Sequence, residues 1–286
     1  MIISGLNEKM DKLDTIRSRA NLGAILIGSG IIVFFPSMAI LRSDGLCIFA
    51  VFLMVLGYLF LIGIKRRYKR LYKEVFVEDT LNANFENVLY VWNGGFSKQQ
   101  IMNLSMFANG TMYKSEDYLR ARYHGTDFEM ADVYISCNGN NSSTLFKGRI
   151  IIFDFPDKII RPTRIYSESF SYKTQEAMLH SEKVEMESAK FNKAFRVFSK
   201  SPHDTFYLLT PQFMERLMVL KEKYENIAIC FDYNRVVFAF NERTNDAFDR
   251  TMLDNKSISY PREIEKVQKE VDDIKYIIDM INQIGG

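Results

Sequence analysis

Cysteine and histidine are both scarce in this chain, with three of each among 286 residues. The cysteines, Cys47, Cys137 and Cys230, lie far apart and form no CxxC pair, a usage typical of a reducing compartment rather than of a disulfide framework. The sequence also has no HExxH, GxSxG, GxxxxGK[ST] or GxGxxG motif, and no two histidines share a metal-ligand spacing. We therefore predict no catalytic residue, no metal ligand and no cofactor, and an enzyme is the less favoured class.

Charged residues are absent from two long apolar runs, residues 22–41 and 46–64. Each run is long enough to span the hydrocarbon core of a bilayer as a helix. The connection "RSDG" is too short to hold a domain, so we predict a transmembrane helical hairpin over residues 22–64. A transporter or proton path usually needs an ionisable residue within a span, so we interpret the hairpin as an anchor and a transporter as the weakest alternative.

Acidic residues are absent from "KRRYKRLYK", residues 65–73, which directly follow the second run. Basic residues also precede the first run, whereas the turn carries only Arg42. By the positive-inside rule this asymmetry places both termini in the cytoplasm, with residues 1–21 as a cytoplasmic tail. Acidic residues outnumber basic ones in the rest of the chain, which argues against a nucleic-acid partner.

Residues 65–76 form an amphipathic juxtamembrane helix when they are plotted at about 100° per residue. One side of this helix carries Tyr68, Leu71, Tyr72 and Val75, which we expect to pack on protein. Anionic headgroups attract each nearby cation by about 1 kcal/mol, so the opposite arc is predicted to hold the helix against the leaflet. This basic arc consists of Lys65, Arg66, Lys69, Arg70 and Lys73.

Small residues recur within the predicted spans. Ala20, Ala24 and Gly28 share one face of the first helix, and Ala50 and Gly57 lie two turns apart on the second. Small side chains allow helix backbones to approach closely. The pattern leaves two alternatives open, which are packing of the two spans on each other and self-association between subunits.

Residues 77–256 alternate between short apolar runs and turn residues, a pattern typical of strands. "YLRARYHGTDFEMADVYISC" predicts two strands around a turn, "TLFKGRIIIFDF" a central strand, and "NIAICF" with "VVFAF" a hairpin. Ser97 and Gln100 have capping-box spacing, and Thr210 with Pro211 begins a helix. Strands in runs with few helices between them predict a cytoplasmic antiparallel α+β domain.

Residues 257–286 carry an apolar stripe at heptad spacing. This predicts a C-terminal amphipathic helix that either packs on its own domain or forms a coiled coil between subunits. The stripe is therefore the candidate partner-binding surface, and it consists of Ile264, Val267, Val271, Ile274, Ile278 and Ile281.

Within "KVEMES", strand alternation places Lys183, Glu185 and Glu187 on one face. Such a set could bind a ligand or a metal, although a solvated face with an ion pair explains it equally simply. Lys147 and Arg149 of "FKGRIIIFDF" likewise share a face of their strand, and the spacing shows no more than that.

The runs "LFKGRIIIFDF", "VEMESAKFNKAFRVFS" and "FYLLTPQFMERLMVL", behind an N-terminal hairpin, resemble a bacterial family known as domain of unknown function 3137. The most specific parts lie in residues 187–197 and 209–217, and the likeness covers roughly residues 65–250, including "SED" at 115–117. The resemblance implies an uncharacterised protein of the bacterial cell membrane and assigns no residue a role.

The leading functional hypothesis is a membrane-anchored cytoplasmic interaction or scaffold domain. Its expected partners are anionic lipid headgroups, an unidentified membrane protein, and a second copy bound through the C-terminal helix or the small-residue faces. The alternative is a lipid-binding module or a lipid-linked enzyme that uses the Lys183, Glu185 and Glu187 face.

Overall fold

The computed structural model describes residues 2–38, 44–138, 143–154, 160–170, 182–241, 248 and 259–283. Two compact units divide them. The first unit comprises the described part of residues 1–80 and 246–268, and the second that of residues 81–245 and 269–286. The last helix of the chain therefore contributes its first turns to one unit and the remainder to the other.

The first unit is helical. It contains α1 (Ile2–Pro36), α2 (Asp44–Tyr72), a π-helical stretch (Lys73–Glu78) that we call the π segment, the start of α3 (Asp79–Asn84), and the first turns of α8 (Tyr260–Asn282). Two of these helical stretches are long and apolar enough to cross a membrane by length and composition. Residues 2–21 belong to α1, so they are not the separate tail that the sequence suggested.

Glycines set the contact between α1 and α2. A Cβ on Gly30 would lie 2.6 Å from Cγ of Met54, and one on Gly57 would lie 2.9 Å from Cγ1 of Ile27. By contrast, Ala24 is exposed and a Cβ on Gly28 would meet nothing within 4 Å. The predicted face on α1 is therefore wrong, because seven residues make almost two whole turns of a helix and keep Gly23 and Gly30 on one side, whereas four-residue steps drift away from it.

The second unit is built on a nine-stranded antiparallel sheet in the order β1-β2-β3-β4-β9-β8-β5-β7-β6, which confirms the predicted α+β class. The strands are β1 (Glu86–Val91), β2 (Met112–Tyr123), β3 (Thr126–Cys137), β4 (Ser143–Asp154), β5 (Ile160–Ser167), β6 (Glu182–Val184), β7 (Phe195–Ser199), β8 (Ile227–Tyr233) and β9 (Arg235–Asn241). The helices are the end of α3, α4 (Lys98–Asn103), α5 (Ala189–Ala194), α6 (Pro202–Leu208), α7 (Pro211–Lys223) and most of α8.

Local signals fixed several of these elements. The β2–β3 turn consists of His124 and Gly125, both at positive φ (47° and 79°), as a two-residue hairpin turn of this type requires. Ser97 accepts from the backbone N–H of Gln100, whose side chain accepts from the backbone of Ser97, so the capping box is confirmed. The side chain of Thr210 caps α7. The short helices α5 and α6 were not predicted, because six or seven residues carry little periodic signal.

Both faces of the sheet bury apolar residues. On one face, Phe107 from the segment after α4 packs on Phe146 of β4, with ring centroids 4.7 Å apart. On the other face, which we call the α7/α8 face, Phe213 of α7 lies 6.2 Å from Phe231 of β8, ring to ring. Helix α8 also covers this face, since Ile274 lines a cavity together with Ile151 of β4.

The heptad stripe of α8 is buried within the single chain. Val267, Val271, Ile274, Ile278 and Ile281 are each no more than 2% exposed, and Ile264 is half-buried. Of the two alternatives that the sequence left open, packing on the own chain is therefore the one the fold uses. A coiled coil between subunits through these residues would require the helix to leave its own core.

Candidate functional site

A row of polar side chains crosses the α7/α8 face on four neighbouring strands. Tyr90, Asp117, Asp132 and Arg149 belong to β1, β2, β3 and β4 in turn, and Asp132 and Arg149 are direct cross-strand partners. Such residues are rarely buried unless they are paired. We call this set the polar row.

Arg149 is the centre of the polar row and is 5% exposed. Its Nε donates to Oδ1 of Asp132 over 2.9 Å, and its Nη1 donates to Oε2 of Glu270 on α8 over 2.6 Å. Burial disfavours the guanidinium charge, but the two carboxylates outweigh that cost and raise the pKa of Arg149 above its usual value. The arginine therefore stays charged and links the sheet to α8.

Asp117 extends the polar row at a strained position. It is 2% exposed, lies at a register shift of the β2–β3 pairing and has a φ of 61°, which is uncommon for a residue with a side chain. Its Oδ1 accepts from the hydroxyl of Tyr90 over 2.6 Å. The bulge thus turns a carboxylate into the α7/α8 face, and this carboxylate contributes to the raised pKa of Arg149.

Further polar contacts fix the part of α8 that belongs to the second unit. Asp273 accepts from both Lys223 and Tyr224 at the end of α7, and Asp279 lies 3.1 Å from Nδ1 of His124. On the other flank, Lys275 donates to Asn84 over 2.7 Å. Together with the Arg149–Glu270 pair, these contacts hold the helix in one register on the sheet, a specificity that apolar packing alone supplies poorly.

A cavity of about 290 Å³ lies beside Arg149. Its lining is half apolar and half polar, and consists of Arg149, Ile151, Tyr224, Phe240, Glu270, Asp273, Ile274 and Ile277. The polar groups that line it are already bonded to one another. Within the part of the chain that the structure describes, no group of three or more His, Cys, Asp or Glu residues could hold a metal ion. The geometry therefore serves to position a helix rather than to carry a reaction.

Cys230 shows why the cysteines offer no nucleophile in the sheet. It lies on β8 and is 2% exposed, and burial raises the pKa of its thiol to about 11. The thiolate is the reactive form, so this side chain stays protonated and inert at neutral pH.

The proposed ligand face is an ordinary exposed surface in the structure. Lys183, Glu185 and Glu187 are exposed while Val184 and Met186 are buried, as the alternation predicted. Strand β6 ends at Val184, and the Nζ of Lys183 lies 2.5 Å from Oε1 of Glu185. An exposed ion pair of this kind contributes about 0–1 kcal/mol, and nothing encloses a ligand there.

The basic arc is only partly as predicted. Lys65, Arg66 and Arg70 are exposed and Lys69 is half-buried, but Lys73 is fully buried, so a headgroup contact by Lys73 is wrong. The helical wheel missed this because it assigns one buried side along the whole helix, whereas the first turns of α8 cover additional sides at this level. Three members of the apolar arc, Tyr68, Tyr72 and Val75, are buried as expected, and Leu71 is half-buried.

Residues 144–285 match the family model described as "Protein of unknown function (DUF3137)". The chain belongs to this family. The family match begins in β4 and runs through α8, so it includes the final helix that the sequence resemblance left outside. Both Arg149 and Glu270 lie within the family match, whereas Asp117 and Asp132 precede it.

No curated protein matches the chain. Among solved structures, the crystal structure of the mycobacterial trehalose monomycolate transport factor A, TtfA, is similar over 73% of this chain and 94% of that chain, at 9% sequence identity and a TM-score of 0.37. A similarity of this size assigns neither a ligand nor a partner.

Sequence reasoning missed the polar row, although its signals were present. Arg149 interrupts an apolar central strand, and a buried arginine needs a carboxylate partner. Asp132 interrupts the neighbouring apolar run in the same way. What the sequence could not supply is the pairing register that places these two residues opposite each other, or the helix that brings Glu270 over them.

Proposed function

We propose that this protein is a membrane-anchored interaction domain of the bacterial cell membrane, held by the α1–α2 hairpin with both termini in the cytoplasm. The observation that carries the proposal is the surface of the hairpin between residues 22 and 60. Large apolar side chains there are exposed all round, among them Ile25 at 63%, Ile32 at 73% and Ile48 at 71%. Water would disfavour such a surface, whereas lipid accommodates it.

A belt of cations marks the cytoplasmic end of this surface. Gly23 is level with Leu61, and Lys9 is level with Glu74, since their Nζ and Oε1 atoms lie 3.9 Å apart. Because the two helices run antiparallel, Arg17 and Arg19 fall beside the start of the basic stretch. The cation belt consists of Arg17, Arg19, Lys65, Arg66, Arg67 and Arg70, and residues 15–22 and 59–70 contain no acidic residue.

The cation belt has the depth of a headgroup layer. That layer is about 5–7 Å thick on each side of the hydrocarbon core, and Arg70 lies about 9 Å beyond Ile64 at 1.5 Å per residue. Lys73 would lie about 14 Å beyond Ile64 by the same rise, outside the layer. With about 1 kcal/mol for each cation near an anionic surface, the belt supplies several kcal/mol that favour one orientation of the hairpin.

The hairpin continues beyond the belt as a pair of helices. Residues 8–20 of α1 extend it by about 18 Å, and Leu13 is fully buried at this level. Helix α2 also continues without a break into the residues that were predicted to lie flat on the leaflet. The basic residues therefore anchor a projecting helix pair and do not hold a surface-parallel helix.

The proposed role is interaction because the described residues form a helix-positioning site and no reactive one. The expected partners are anionic lipid and an unidentified membrane protein. Self-association is a further proposal, and the exposed Ala24 with the open space at Gly28 gives the hairpin a small-residue face that its own second helix does not use.

Cysteine labelling in intact cells and in inverted membrane vesicles tests the topology. With Cys47, Cys137 and Cys230 replaced by serine, Asp44→Cys should react with a membrane-impermeant maleimide only from outside. Glu74→Cys should react only in inverted vesicles. Labelling of Glu74→Cys from outside would overturn the orientation, and extraction of the full chain from membranes by carbonate would overturn the anchoring.

A further inference from the structure

The helix that leaves the proposed membrane span changes its hydrogen-bonding pattern without breaking. Tyr72 before the π segment and Asp79 after it both have helical backbone angles, φ −58° and ψ −47° for Tyr72 and φ −62° and ψ −41° for Asp79. The π segment is thus an insertion within one continuous helix. Such insertions are uncommon and frequently occur at functional sites.

The π geometry aligns one row of side chains. On an α-helix, four residues overshoot a full turn by about 40°, so residues four apart drift sideways. The wider π turn removes this drift. Tyr72, Phe76 and Thr80 accordingly form a row that is 1%, 0% and 5% exposed, and the Oγ1 of Thr80 donates to the carbonyl of Phe76 over 2.7 Å.

This row faces the first turns of α8, within the same unit. The hydroxyl of Tyr72 donates to Oε2 of Glu263 over 2.6 Å, and Glu263 is 7% exposed. One turn further on, the ring of Phe76 lies 5.6 Å from that of Tyr260. The π segment therefore matches a four-residue step on one helix to a three-residue step on the other.

We propose that the π segment is a register switch between the membrane hairpin and the first turns of α8. In the structure Tyr72 is bonded to Glu263 and Lys73 is buried. In the α-helical register of the same segment, Leu71 takes the row position of Tyr72, and Lys73 takes the exposed position of Glu74. A shift of the hairpin by one residue, about 100° and 1.5 Å, is thereby converted into release of Glu263 and exposure of Lys73.

The switch is tested by cross-linking in the full chain, with the three native cysteines replaced by serine and the protein in nanodiscs. Three cysteine pairs report the register, and they are Tyr72→Cys with Glu263→Cys, Leu71→Cys with Glu263→Cys, and Phe76→Cys with Tyr260→Cys. A short bismaleimide is the probe. Deletion of Glu74, which is exposed, sets the α-helical register, and Glu74→Ala is the matched control because it removes the same side chain without changing the length.

In the control, we expect cross-linking of the 72–263 and 76–260 pairs and little of the 71–263 pair. In the deletion variant, the 72–263 product should fall at least several-fold, the 71–263 product should replace it, and the 76–260 product should persist. Lys73→Cys should also become reactive toward a soluble maleimide. Retention of the 72–263 product, loss of the 76–260 product as well, or no gain of the 71–263 product would each overturn the switch.

The register does not depend on a bilayer, so the same measurement in detergent separates this proposal from membrane anchoring. A normal register response together with a failed topology experiment would refute the proposed function alone. The reverse result would refute the switch alone.

Discussion

Replacement of Arg149 by methionine isolates the charge that links the sheet to α8. Methionine keeps an unbranched apolar side chain at the site, so the packing loss is small and the two ion pairs are lost. Arg149 is 6% exposed at its side chain, and its partners Asp132 and Glu270 are 17% and 27% exposed. Removal of one partner from a buried ion pair typically costs about 3–5 kcal/mol. Because water reaches both carboxylates in part, we expect the lower end, about 3 kcal/mol.

The assay is urea unfolding of the full chain in nanodiscs, followed by the fluorescence of Trp92. This is the only tryptophan in the sequence, and its carbonyl accepts from the backbone N–H of Asp117 over 3.3 Å, so it reports on the sheet next to the polar row. Amide hydrogen exchange should show faster exchange in α8 from Lys269 onward, since that part of the helix loses its link to β4.

Two controls sharpen the result. Lys147→Met removes an exposed cation on the same face of β4 and should change stability by no more than about 0.5 kcal/mol. Glu270→Gln keeps a hydrogen-bond acceptor and should cost about 1 kcal/mol. In the double variant with Arg149→Met, the loss should be smaller than the sum of the two single losses, because the pair is already broken. Equal stabilities of Arg149→Met and Lys147→Met would refute the reasoning.

Three further results are expected. Gly30→Leu should loosen the α1–α2 hairpin, measured as faster exchange or protease cleavage, whereas Gly28→Leu should leave it intact; equal effects would contradict the glycine contact. Cys230 should resist maleimide at neutral pH in the folded chain, and because burial raises its pKa to about 11, its contribution to stability should be lost as pH rises above the value of an unfolded thiol, about 8.5; fast labelling of the folded chain would contradict this. Lys183→Ala and Glu185→Ala should each change stability by less than about 1 kcal/mol, and neither should alter binding of the full chain to anionic vesicles in a flotation assay.

The sequence determined most of what depends on neighbours along the chain. Period-two runs defined the long strands β2, β3 and β4, and capping residues placed α4 and α7. Charge-free runs defined the two apolar helices. Each of these signals acts over fewer than about 20 residues, so it survives whatever the rest of the chain does.

The candidate site could not be predicted in the same way. Arg149, Asp132 and Glu270 come from three separate segments, and the distances between their atoms follow from strand register and from the docking of α8. The alternation rule did predict the exposure of Lys183, Glu185 and Glu187 correctly, but alternation is blind to whether a face is enclosed.

By itself, the sequence determined the α+β class, the apolar hairpin and the heptad stripe on the last helix, because periodicity and composition are properties of the chain. Only the tertiary structure decided that the stripe is covered by its own chain and that Lys73 is buried. It alone also decided that a charged row lies beneath the final helix. Burial depends on what packs against a side chain, and that information is held by residues up to about 190 positions away, as in the Tyr72–Glu263 bond.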